Sequence, residues 1–206
     1  MSYNEGGGGE YMKYQICCDM DGVLCDFTSG AVKIINDRIE NKDFVKNLDP
    51  ELYRMIDEAE NEAGGLITPE LIRINAPYKK IRDLMKRLVT HNVEFWANLD
   101  WIDGGPEIWN AIKDYNPYIL SAPMKNSEKC KEGKRQWIQK NLKPIPKKII
   151  LDDDKGKYTH FGDKTGLLID DMFFNIKDYR DAGGKAIWSK NWRRTIKILD
   201  YWIEKK

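Results

Sequence analysis

The chain has 206 residues, of which 41% are hydrophobic and 33% charged, and its formal net charge is +1. That balance fits one domain of ordinary size, or a core with a modest insertion, and excludes a disordered chain and a protein that wraps long nucleic acid, leaving only a local basic patch open. No apolar run approaches the roughly 18 residues of a membrane span and no basic-then-apolar signal opens the sequence, so the expectation is a cytoplasmic protein.

Residues 1–12, with Gly6 to Gly9 among them, are polar and glycine-rich and read as a flexible tail. No strand precedes those glycines, so they do not form a phosphate-cradling loop. Ile16-Cys17-Cys18 is a short apolar run ending in Asp19-Met20-Asp21-Gly22, the pattern of a buried strand that delivers two carboxylates to its carboxyl end before a glycine turn. Beyond Phe27 the periodicity becomes helical. Val32, Ile35, Ile39 and Phe44 mark one apolar face, Leu52, Met55, Ile56 and Ala59 a second, and Ile81, Leu84, Met85 and Leu88 a third. Pro69 and Pro77 stand where helices can start. Residues 30–100 thus read as a helical insertion after the first strand.

Pro106 starts the next helix, with Ile108, Trp109 and Ile112 on its apolar face and Asn116-Pro117 as its stop. Tyr118-Ile119-Leu120 predicts a second strand ending in Ser121-Ala122-Pro123, followed by a helix from Ser127, its N-cap, to Asn141. Ile149-Ile150-Leu151, Gly166-Leu167-Leu168-Ile169 and Lys185-Ala186-Ile187-Trp188 supply three more strands. Ile196, Leu199, Trp202 and Ile203 mark a closing helix. Strands alternating with helices predict an α/β fold, a Rossmann-like parallel sheet covered on both faces, whose ligands bind beyond the carboxyl ends of the strands. Cys17, Cys18, Cys25 and Cys130 lack zinc spacing and read as reduced, buried small hydrophobes.

Asp19 and Asp21 are two apart, so on a strand their side chains enter one crevice. Crowded carboxylates need a cation between them, or one of them holds a proton near neutral pH. The same string opens calcium loops, but Cys25, Phe27 and Gly30 occupy the later positions that would need oxygen ligands. The bland alternative is a strand followed by an Asp-Gly turn. Asp170-Asp171 closes another apolar run. Adjacent strand residues point to opposite faces, so at most one ligates a cation directly while the other orients that ligand, or a metal-bound water, from behind. A helix-capping pair ahead of Phe174-Asn175-Ile176 is the competing reading. Lys134 shares a helix face with Cys130, Trp137 and Ile138, and a lysine among packed apolar residues calls for a partner more than a snorkelling surface lysine does. Lys157 and Lys164 precede the acidic pair and stay open as alternative cations. His91 and His160 have no partner spacing and read as surface or packing residues.

The string Asp19-Met20-Asp21-Gly22-Val23-Leu24-Cys25-Asp26-Phe27 resembles the first motif of the haloacid dehalogenase-like phosphohydrolases, most closely their 5′(3′)-deoxyribonucleotidase branch. The resemblance implies that Asp19 is a nucleophile that becomes phosphorylated, that Asp21 is general acid and base, and that Mg²⁺ bridges to phosphate from Asp19, Asp21 and Asp171, with Asp170 behind Asp171. Residues 119–123 are similar to the second motif, a strand ending in Ser or Thr, which implies a phosphate hydrogen bond from Ser121; turn formation alone also favours such a serine. Residues 133–140 resemble the stretch in which a helix lysine precedes an aromatic residue by three, which makes Lys134 the catalytic cation. Phe95-Trp96, with Leu99, is similar to the aromatic pair that lines the nucleobase pocket. The competing reading is that this pair packs the insertion onto the core.

By the same resemblance residues 30–100 are a small helical cap, and residues 13–29 and 101–206 form the phosphohydrolase core; the cap matches only in general helical character. The expected activity is Mg²⁺-dependent hydrolysis of ribo- or deoxyribonucleoside monophosphates through an aspartyl-phosphate. The alternatives are a related phosphatase acting on another small phosphate ester or a nucleic-acid 3′-phosphate, and a non-catalytic binding module. A small nucleotide is the expected partner, with no membrane and no stable nucleic-acid complex, and a homodimer is compatible with the sequence.

Overall fold

The computed structural model describes residues 13–72 and 77–204; the tail expected over residues 1–12 lies outside them. Six strands are described: β1 (Tyr14–Cys18), β2 (Tyr118–Ser121), β3 (Lys148–Leu151), β4 (His160–Phe161), β5 (Lys164–Asp170) and β6 (Lys185–Trp188). Five of them form a parallel sheet in the order β3-β2-β1-β5-β6, and β4 pairs antiparallel with the start of β5. From β1 the next two strands run outward on one side and the later ones on the other. The strand order therefore reverses at β1, and a crevice opens beyond its carboxyl end.

The five strands expected from apolar runs are the five parallel ones. Their residues alternate between two cores: Ile16, Cys18, Ile119 and Ile169 join one cluster, and Cys17, Leu120 and Leu168 the other. All four cysteines are free and buried. β4 was not expected. It is two residues long and returns through Gly162-Asp163, where Gly162 takes φ 64°, the left-handed geometry that a two-residue hairpin turn needs.

Nine α-helices are described: α1 (Phe27–Glu40), α2 (Lys42–Val45), α3 (Pro50–Ala63), α4 (Lys79–Val89), α5 (Val93–Ala97), α6 (Gly105–Ile112), α7 (Glu128–Asn141), α8 (Phe173–Asp181) and α9 (Trp192–Glu204). Side-chain caps open several of them, with Ser127 the one expected from the sequence. Asp49 accepts the Leu52 N–H at 2.9 Å with Pro50 in the first turn of α3, and Ser127 accepts the Cys130 N–H at 3.0 Å to open α7. Two details differ from expectation. Phe44 is 80% exposed because α1 stops at Glu40 and α2 restarts out of register, burying Val45 instead. Pro69 starts a single 3₁₀ turn, Pro69–Ile72, rather than an α-helix.

The excursion between β1 and α6 leaves and returns at one neck. Cys25 bridges to Trp101, the Asp26 N–H donates to the Asp100 carbonyl at 2.9 Å, and the Ile102 N–H to that of Leu24 at 3.1 Å. Ala31, Ile35, Ile56, Ala59, Ile81 and Leu84 form a core of their own within it, whereas Val89, Trp96 and Leu99 belong to the core around β1. Among the described residues no helix is long and apolar enough to cross a membrane.

Candidate active site

Asp19 follows β1 directly and is buried; its Oδ1 accepts the Met20 N–H at 2.7 Å. The chain then winds back on itself: the Met20 carbonyl accepts the N–H groups of Leu24 (2.8 Å) and Cys25 (3.0 Å), and Gly22 takes φ 73°. This loop presents Asp21 beside Asp19. A side chain at Gly22 would put its Cβ 2.6 Å from the Asp171 carboxyl, so glycine is required both by the backbone angle and by the approach of that carboxylate.

Two buried lysines answer these acids. Lys134, on the inward face of α7 and fully buried, donates from Nζ to Asp21 Oδ2 at 2.5 Å and to Ser121 Oγ at 3.0 Å, and lies 4.9 Å from the Trp96 ring centroid. Burial pulls its pKa down, but the charges of Asp21 and Asp19 outweigh that and hold the ammonium above its ordinary value. Ser121, the last residue of β2, is buried, and with its Oγ accepting from Lys134 its O–H is left to donate.

The second lysine is Lys155, which the sequence reading passed over. Its Nζ lies 2.9 Å from Asp19 Oδ2 and 2.5 Å from Asp170 Oδ2. Burial lowers its pKa; Asp19 and Asp170 together reverse that and raise it. Lys155 ends the acidic run Asp152-Asp153-Asp154, which reads as a solvated loop. Its place just past β3, at the carboxyl edge of the sheet, was the available signal. Lys157, offered as an alternative, points away and pairs with Asp152 and Asp154 at 3.7 and 3.5 Å. Lys164 opens β5, at the opposite end of that strand from Asp170. His91 and His160 are exposed.

Asp19, Asp170 and Asp171 each offer a carboxylate oxygen within 4.8 Å of the others. Asp170 is fully buried and already saturated: it accepts from Lys155, from the Met172 N–H at 2.7 Å and from Asn175 Nδ2 at 3.1 and 3.0 Å. That leaves Asp19 and Asp171 as the acids of the trio with oxygens to spare. Asp21 stands outside the trio; its carboxylate is held by Lys134, with the Cys25 Sγ–H 3.5 Å from its Oδ1. Burial, then the charges of Asp19 and Asp170, push Asp171 up to about 7. Burial and Asp19 push Asp170 up to about 6 against the opposing pull of Lys155. An all-carboxylate set with protons held this high fits a hard cation such as Mg²⁺, which would replace those protons with charge.

The aromatic pair divides. Trp96 is 2% exposed: its ring stacks on Phe27 at 5.3 Å and 17°, and its indole N–H donates to the Val89 carbonyl at 2.8 Å. It packs α5 onto α7 and has no open face for a base. Phe95 is half-buried and meets Phe27 and Trp96 edge-on.

No protein-family model matches this sequence. Among solved structures, the chain is similar to a hydrolase from Streptococcus pneumoniae TIGR4, with 13% identity and a TM-score of 0.51 over 92% of this chain and 100% of that one. It is similar also to a HAD-superfamily hydrolase from Ehrlichia chaffeensis, with 16% identity and a TM-score of 0.52 over 94% of this chain and 100% of that one. Sheet, crossovers and insertion therefore make up the Rossmann-like α/β fold of the haloacid dehalogenase-superfamily hydrolases.

Proposed function

We propose that the protein is a Mg²⁺-dependent phosphomonoesterase acting on nucleoside monophosphates through an aspartyl-phosphate. The observation that carries this reading is the convergence of Asp19, Asp21, Asp170 and Asp171 with two buried lysines and Ser121 at one end of the sheet. Four acids against two ammonium groups suit neither a structural ion pair nor a hydrophobic ligand. They suit a cation and a phosphate that arrive together. Asp19 and Asp171 are the residues that would hold Mg²⁺, with Asp170 fixing the neighbouring backbone and Lys155. When bound, Mg²⁺ supplies positive charge against the phosphate oxygens.

The chain's own groups do the rest. Lys134 and the Ser121 hydroxyl bind phosphate oxygens. Asp19, held by the Met20 N–H and Lys155, attacks phosphorus in line. Phosphate competes with Asp21 for Lys134, which lets Asp21 take a proton, deliver it to the departing nucleoside oxygen, and then remove one from the water that hydrolyses the aspartyl-phosphate. The nucleotide assignment is supported by the resemblance of residues 19–27 and 133–140 to deoxyribonucleotidases.

One observation favours a second reading, a phosphatase for another small phosphate ester: Trp96 is closed to a base. Phosphate release from ribo- and deoxyribonucleoside monophosphates, sugar phosphates and 3′-phosphorylated oligonucleotides, with and without Mg²⁺, separates the two. Preference for the nucleotides supports the first. Release from none of them would leave a binding module that keeps the fold.

A further inference from the structure

Large aromatic side chains stand exposed beside the carboxylates. Phe173 and Phe174 open α8 and Trp188 ends β6, and they are 51%, 55% and 46% exposed. Trp188 is the register partner of Asp170, and its indole N–H donates to the Asp171 carbonyl at 2.8 Å. Phe173 meets Trp188 with centroids 5.4 Å apart at 61°, and Phe174 flanks Phe173 at 6.4 Å. Three exposed rings in contact are a patch rather than scattered apolar surface. Lys190 Nζ lies 5.4 Å from the Trp188 centroid. Lys190 also lines a cavity of 240 Å³ with Gly22, Ser189 and Trp192, and the buried indole N–H of Trp192 has no hydrogen-bond partner.

We infer that this corner seats the nucleobase of the substrate. The inference rests on the phosphomonoesterase reading and supplies the base contact that Trp96 does not. The occupant is flat, because Phe173 and Trp188 pack edge to face on one another and each keeps exposed ring surface on which a planar group can stack. It also carries an anion, because the corner adjoins Lys190 on one side and, on the other, the Asp171 site proposed to hold Mg²⁺. A nucleoside monophosphate has both properties, and the cavity beside Gly22 gives the sugar polar company from Ser189 and Asn191. Every base has a stacking face, so an open corner of this kind takes purines and pyrimidines alike.

The test compares a nucleoside monophosphate with glycerol phosphate, which has no ring, in wild type, Phe173→Ser, Trp188→Leu and the conservative Phe173→Tyr. The ratio of kcat/KM for nucleotide over glycerol phosphate should fall about 5- to 150-fold in the first two variants and return in Phe173→Tyr. Calorimetric titration with the nucleotide in the absence of Mg²⁺ should show the same order of affinities. Both esters hydrolysed with an unchanged ratio would overturn the base corner while leaving the phosphatase reading in place. If no ester is hydrolysed, the phosphatase reading falls, and equal nucleotide affinity in wild type and Trp188→Leu overturns the corner as well. A dimeric wild type that becomes monomeric in Phe173→Ser would assign the patch to a second copy of the chain and overturn it too.

Discussion

Asp19 accepts from a backbone N–H and faces a buried ammonium, so its oxygens are aimed rather than free to turn. Asp19→Asn keeps the shape and loses the nucleophile. Turnover should drop below detection while the thermal transition stays cooperative, and substantial Mg²⁺-dependent activity in the folded variant would refute an aspartyl-phosphate route. Trp96 makes the opposite case. Its ring is consumed by Phe27, Lys134 and the Val89 carbonyl, and truncating a buried Trp costs roughly 3–5 kcal/mol. Trp96→Ala should therefore lower the melting temperature and weaken turnover of nucleotide and ring-free phosphate together, because Lys134 loses its wall. A loss confined to nucleotides, at unchanged stability, would restore the base-pocket role that the sequence suggested.

The contact between α5 and α7 sets the place of Lys134, and one glycine permits it. A Cβ at Gly133 would lie 2.5 Å from both the Val93 carbonyl oxygen and Trp96 Cβ. Alanine is the better helix former by about 1 kcal/mol, but overpacking against backbone costs roughly 1–3 kcal/mol, so the clash wins or at best breaks even. Gly133→Ala should thus unfold up to about 8 °C lower, and its KM for phosphate esters should rise as Lys134 moves; a more stable variant with wild-type KM would show that α5 yields freely. Much of this level was legible in the sequence, for identifiable reasons. Parallel strands buried on both faces read as apolar runs, and Ser127, Asp19 and Gly22 carry local chemistry that survives without neighbours. What was hidden depends on distant parts of the chain. Lys155 sits in an acidic loop and finds its partners only across the sheet, periodicity does not say which face of Trp96 is covered, and a restart after Asn41 puts Phe44 outside.

The molecule as a whole gathers at one crevice residues that lie far apart in sequence: Asp19 after β1, Ser121 at the end of β2, Lys155 past β3, Asp170 at the end of β5 with Asp171 after it, and Lys134 from α7. The fold holds these acids close, and that has a consequence for stability. Asp170 and Asp171 are raised to about 6 and about 7, whereas in the unfolded chain they titrate near the ordinary value of about 3.9. The folded state thus binds more protons than the unfolded one between those limits. Their contribution to stability is complete below about pH 4 and is lost as pH rises through about 6 to 7, so the cation-free protein should be less stable at pH 8 than these groups allow at pH 5. Mg²⁺ competes for the same oxygens. At pH 8 it meets ionised carboxylates, and at a hundredfold excess over its Kd it should add about 2.7 kcal/mol, or roughly 5–11 °C in Tm for a chain of this size. At pH 5 protons hold the site and the gain should shrink to a fraction of that. Thermal unfolding with and without Mg²⁺ at the two pH values reads this directly, with no substrate present. Asp171→Asn should remove the Mg²⁺ shift at pH 8, and an equal shift at both pH values, or one that survives in Asp171→Asn, would place the cation somewhere other than Asp19 and Asp171.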